Sequence, residues 1–96
     1  MFEWDNNKAQ RNLEKHGIDF YEAVTGFDDG EIFLFHDLPH SGTEDRYFAI
    51  ANTAHHRVIA MVFTLRRNKN GEKIYRIISA RYASQKERKI YFRQED

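Results

Sequence analysis

The stretch VIAMVFTLRRNKNGEKIYRIISAR, residues 58–81, decides the fold. Its first eight residues are apolar almost without a break, the pattern of a strand buried on both faces. Asn70-Gly71 then gives the strongest short hairpin signal, because both residues tolerate the left-handed backbone of a tight turn. IYRIISAR, residues 74–81, returns as a second strand. Two strands joined this closely must run antiparallel.

Working toward the N-terminus, RYFAIAN (46–52) reads as a further strand. Its period of two places Arg46, Phe48 and Ile50 on one face. EIFLFHD (31–37) reads as another strand, with LPHSGTED between the two as a loop. Before residue 30 the period changes. Asp5 is an N-cap for a helix over residues 6–15, with Trp4 and Ala9 at staple positions and Ala9 and Leu13 on one face. In Lys15-His16-Gly17, glycine in the left-handed conformation would end that helix, Leu13 and Ile18 would make the apolar contact, and two cations would sit at its negative pole. Asp19 and Glu22 have capping-box spacing for a second helix. Phe20, Ala23, Val24 and Phe27 form its apolar stripe, and Asp28-Asp29-Gly30 stops it. FEW (2–4) is a short candidate strand. Ser84 and Glu87 form a capping box for a last helix, from residue 84 to about 93. The expectation is an α+β domain spanning 1–96: an antiparallel β-meander with two N-terminal helices and one C-terminal helix, packed on one sheet face. The second face is then a small concave site or a partner surface.

The 96 residues include no cysteine, so no disulfide or thiolate metal site exists. No apolar run reaches the ~20 residues of a membrane span, and MFEWDNNKAQ lacks the basic and apolar regions of a signal peptide. A cytoplasmic protein with no membrane partner is expected. The zero net charge hides a pattern. Residues 1–45 carry three basic and eleven acidic side chains, a net of −8, and residues 46–96 carry twelve basic and four acidic, a net of +8. Such asymmetry suits a polyanion partner, or pairing of the two halves across the fold.

Arg46 opens a strand, Arg81 closes one, and Arg66 and Arg67 end another. Depending on register, Arg81 could lie near Arg46 or near the Arg66-Arg67 pair. Guanidinium forks clustered in this way suit phosphate, although solvated charges at sheet margins have the same look. Arg88 and Tyr91 stud the last helix among other cations and rings, as in proteins that stack single-stranded bases, or as on an ordinary amphipathic helix. Glu44, Asp45 and Arg46 could form a local ion pair or orient a reacting hydroxyl. His36 and His40 are four apart, but Pro39 forbids the helix that would align them, so no metal site is expected. With no glycine-rich phosphate loop and no nucleophile elbow, no cofactor is expected either.

Read together, Trp4-Asp5, Lys15-His16-Gly17, Glu44-x-Arg46, Phe63-Thr64, Ile78-Ser79-Ala80-Arg81 and Glu87-Arg88 make the chain resemble the BrnT family, small toxins of bacterial type II toxin–antitoxin systems. The resemblance covers nearly the whole chain. RRNKNGEK is longer and more basic than the usual turn, and HSGTEDR varies the usual Gly-Glu-Glu-Arg. The resemblance implies a RelE-like fold and a metal-independent ribonuclease that inhibits translation. It also implies a BrnA-type ribbon-helix-helix antitoxin, through which alone the complex would contact operator DNA. RNA can be cut when its own 2′-OH attacks the adjacent phosphate, which needs a proton acceptor, cations and a donor for the leaving oxygen. The expected catalytic set is Arg46 and Arg81 as phosphate clamps, Lys15 or His16 as base or acid, and Glu44 as orienting group. Arg66, Arg67, Arg88 and Tyr91 are expected to bind RNA. The competing expectation is a non-enzymatic module that docks a partner and acts as co-repressor in a DNA-binding complex.

Overall fold

The structure, a computed structural model, describes residues 1–28, 30–36 and 45–93. Its elements in chain order are β1 (Phe2–Glu3), α1 (Asn6–His16), α2 (Phe20–Val24), a 3₁₀ turn (Thr25–Phe27), β2 (Ile32–His36), β3 (Asp45–Asn52), β4 (Val58–Arg67), β5 (Lys73–Tyr82) and α3 (Gln85–Phe92). Asp37, at the end of the strand reading over 31–37, and residues 38–44 of the loop reading, with Pro39, His40 and Glu44, lie outside the described residues, as does Asp29; Asp45, the last residue of the expected loop, instead opens β3.

The strands form one sheet in the order β1-β5-β4-β3-β2. β2 to β5 pair antiparallel, as the hairpin-length joins require, but β1 pairs parallel with β5, Phe2 opposite Tyr75 and Glu3 opposite Arg76. The sheet is therefore mixed, not purely antiparallel. The chain reaches β1 before any helix, and α1 and α2 form part of the long crossover that a parallel pair needs. The β4–β5 turn also differs from a two-residue hairpin. Gly71 is left-handed at φ 79°, and its N–H donates to the Asn68 carbonyl at 3.0 Å, while Asn70 keeps a negative φ. This is a turn closed by a left-handed glycine.

One face of the sheet carries the core. Ala49 and Ala51 of β3, Ile59, Met61 and Phe63 of β4, and Ile77 and Ala80 of β5 pack with Ile18, Phe20 and Ala23. The small residues of β3 let the 3₁₀ turn approach closely: a Cβ added at Gly26 would lie 2.9 Å from the Ala51 Cβ. α3 packs on the opposite face, where Ile90 shares a groove with Phe35, Phe48 and Ile50, and Tyr91 meets Phe33 edge-on. The helices thus occupy both faces, not one, because Ser84 starts α3 only after β5 has ended at Tyr82, at the far end of the strand.

Two residues were misassigned by local pattern. α1 ends as expected, with Gly17 at φ 73° and its N–H on the Leu13 carbonyl. But Leu13 is 40% exposed, and the residue α1 buries is Asn12. Its Nδ2 donates to the Ala80 carbonyl at 2.8 Å and the Ile18 carbonyl at 3.0 Å, and its Oδ1 accepts from the Ala80 N–H at 3.0 Å. The amide group thus stands where a neighbouring strand would be. Glu22 does not close a capping box. Asp19 alone caps α2, accepting from the Tyr21 N–H, and the buried Glu22 carboxylate takes two bonds from Arg57 and one from Thr53. Arg57 also donates to the Tyr82 hydroxyl. A buried carboxylate needs such partners more than a helix end needs a second cap.

Candidate functional site

Among the described residues, the face that carries α3 is only partly covered. Register fixes what stands on it. Arg46 of β3 is opposite Thr64 of β4, and Thr64 is opposite Arg76 of β5, which is opposite Glu3 of β1. Strands stand about 4.8 Å apart, so Arg46 and Arg76 flank Thr64 at a separation of roughly 10 Å. The Thr64 hydroxyl oxygen is buried and has no hydrogen-bond partner among the described residues. Arg66 reaches into the same end of the face, its guanidinium 3.2 Å from the Glu3 carboxylate that Arg76 also meets at 3.1 Å. Burial pushes the Glu3 carboxyl up, but the hydrogen bonds from Arg76 and Arg66 outweigh it and leave its pKa lowered.

Arg81 stands higher on this face, opposite Ala60. It faces this way because of a β-bulge. Phe63 pairs with Ile77 and Val62 with Ser79, so Ile78 is an extra residue in β5. Without it, strict alternation would send Arg76 and Arg81 to opposite faces. Arg81 is four positions along and two strands across from Arg46, a Cα separation of roughly 16 Å. It lies near neither Arg46 nor the Arg66-Arg67 pair. Its fork is also occupied: Glu87 accepts from both guanidinium nitrogens, at 2.8 and 3.0 Å. The Arg81 bonds hold the Glu87 carboxyl down to about 2, and the pairing raises the Arg81 pKa. Glu87 also completes the α3 capping box, accepting from the Ser84 N–H at 2.8 Å. Arg81 and Glu87 therefore fasten α3 to the sheet.

Other expected site residues are dispersed. Lys15 and His16 line a groove with Lys8, Arg11, Asn12 and Ile78, beside the bulge at the β5 edge, and that lining includes none of Arg46, Arg76 and Arg81. Arg67 braces the hairpin turn through the Gly71 carbonyl. Arg88 lies over the Phe92 ring, and Tyr91 packs between Phe33 and Phe92. Glu44 lies outside the described residues. His36 stacks on Tyr47 and approaches Asp45, and His55 stands beside Glu22. Among the described residues no three His, Asp or Glu side chains form a metal-ligating group.

A family model described as the ribonuclease toxin BrnT of type II toxin–antitoxin systems matches residues 4–87. This chain belongs to the BrnT family. Among solved structures, it is similar to the ribonuclease toxin BrnT of Brucella abortus, with 31% identity, 88% of this chain and 99% of that chain covered, and a TM-score of 0.61. Among curated proteins, none matches. Membership in a type II ribonuclease toxin family carries with it an antitoxin partner and an RNA target. The described residues include no helix long and apolar enough to cross a membrane.

For a BrnT family member, the residues that sequence reasoning passed over are as informative as those it chose. In the sequence Arg76 and Glu3 stand out only as parts of strands, and Thr64 only as part of a motif. The signal was available in principle: pairing FEW with YRI (75–77) puts Glu3 against Arg76. Choosing that register, however, requires knowing that β1 runs parallel to β5.

Proposed function

We propose that this chain is a metal-independent endoribonuclease toxin with a RelE-like arrangement, acting in the cytoplasm. A BrnA-type ribbon-helix-helix antitoxin would neutralise it and alone contact operator DNA. The observation that carries the reading is the row Arg46–Thr64–Arg76 on the partly covered sheet face of a BrnT family chain. Arg46 holds the scissile phosphate over Thr64, where its charge stabilises the pentavalent transition state. Glu44, two residues before Arg46 in sequence, orients the attacking 2′-OH. Lys15 or His16 would carry the proton only where the RNA strand reaches their separate groove beside the β5 bulge, whose lining includes none of Arg46, Arg76 and Arg81. Arg81, engaged with Glu87, holds α3 beside the row and has N–H groups left for the substrate. Arg66 and Arg88 contact the rest of the RNA strand.

The test is cleavage of RNA by the purified chain in EDTA, with and without ribosomes. Cleavage is expected to persist without divalent metal, and Arg46→Ala is expected to lower the rate by about 100- to 1,000-fold, as for loss of one transition-state charge contact. A metal requirement would overturn the mechanism. An Arg46→Ala variant as fast as the parent would move the site elsewhere. A chain that cleaves no RNA under either condition would favour the partner-binding co-repressor.

A further inference from the structure

We propose that Arg66 and Arg76 form a phosphodiester subsite at the β1 end of the partly covered face, with Glu3 as a resident carboxylate that an RNA backbone phosphate displaces. The proposal rests on the RNA-cleaving reading of that face and adds a place where the substrate strand is held, distinct from the phosphate over Thr64.

Three observations carry it. The first is chemical. Two guanidinium groups converge on one carboxylate, at 3.2 and 3.1 Å on the same oxygen and 3.4 Å on the other. A phosphodiester presents two anionic oxygens to the same donors and satisfies guanidinium forks at least as well. The second is how loosely Glu3 is held. The Arg81–Glu87 pair is shorter, parallel and closes over a carboxylate 16% exposed, whereas the Glu3 carboxylate is 30% exposed; the arginines are alike, at 43% for Arg81, 40% for Arg66 and 37% for Arg76. An ion pair this wet contributes little to the fold and exchanges readily. The same contrast separates a structural pair from an exchangeable one. The third is position. Glu3 sits on a two-residue edge strand, and Arg76 shares its cross-strand row with Thr64 and Arg46. An RNA strand crossing that row would bring successive phosphates to Arg46 and to the Arg66–Arg76 pair.

Glu3 then has a defined effect: it keeps two flexible cations aligned in the empty site and lowers their affinity for polyanions until a strand is threaded across them. The experiment is equilibrium binding of a 2′-O-methyl RNA oligonucleotide, which cannot be cut by 2′-OH attack, measured by fluorescence anisotropy from low to moderate salt. Glu3→Gln is expected to tighten binding several-fold at low salt. It should also steepen the dependence of log K on log salt by roughly 0.7 for each arginine released to phosphate. Arg66→Gln combined with Arg76→Gln should weaken binding, flatten that slope, and abolish the gain when added to Glu3→Gln. Circular dichroism melts verify that each variant is folded. Binding by Glu3→Gln that is unchanged or weaker, with an unchanged slope, overturns the subsite. Because the probe is not cleaved, that outcome is separate from any failure of the parent chain to cut unmodified RNA, which would instead overturn the ribonuclease reading.

Discussion

Replacing Glu87 with glutamine removes one negative charge and leaves an amide oxygen able to accept from the Ser84 N–H, so the helix cap survives and the pairing with Arg81 does not. A carboxyl held at about 2 against an ordinary 4.5 corresponds to ~3 kcal/mol of preference for the charged form, at about 1.4 kcal/mol per pKa unit. Arg81 is 43% exposed, and water screens its side of the pair, so a loss of about 2 kcal/mol is the working figure. The pH dependence follows from the direction of the shift. A depressed carboxyl stabilises the fold fully above its unfolded pKa and loses that contribution as pH falls toward the folded value. Urea unfolding of parent and variant from pH 7 to pH 2 should therefore show curves separated by about 2 kcal/mol near neutrality that converge as Glu87 protonates. A separation that stays constant down to pH 2, or none at pH 7, would refute the assignment of Arg81 and Glu87 as the fastening of α3.

Substitutions at two further positions test the other side of the sheet. Asn12→Ala should cost about 3 kcal/mol in chemical unfolding, because both polar groups of buried Ala80 lose their partner. Asn12→Asp should not rescue it, since a carboxylate cannot donate to the Ala80 and Ile18 carbonyls. Gly26→Ala should destabilise by about 1–3 kcal/mol through overpacking against Ala51 and lower the thermal midpoint accordingly.

What the sequence made legible was local. The Asp5 and Ser84 caps, the glycine that ends α1, and the face shared by Arg46, Phe48 and Ile50 all depend on neighbours a few residues apart. What it hid depends on distant ones. Asn12 looks like a helix-surface residue until Ala80 is placed beside it, 68 positions away. Glu22 looks like a cap until Arg57 reaches it. The bulge at Ile78 leaves no mark in a run as uniform as IYRIISAR, yet it determines that Arg76 and Arg81 share a face. The arginines were visible as a set, but which of them would be committed to carboxylates depended on the fold. Arg81 is locked by Glu87, whereas Arg76 sits in the exposed pair with Glu3.

The side chain of Asn12 also bears on how copies of this domain can assemble. With β1 along one part of β5 and the Asn12 amide bonded to Ala80, that margin of the sheet is largely closed to an incoming strand. The opposite margin is β2, with Leu34 and Phe35 exposed. A sheet with two open margins can polymerise end to end, but one with a single open margin can only pair. Two copies joined through β2 would consume each other's open edge and stop at a closed dimer. One asparagine on a helix thus caps a strand edge sideways, and leaves β2 as the margin where, among the described residues, a second copy could add.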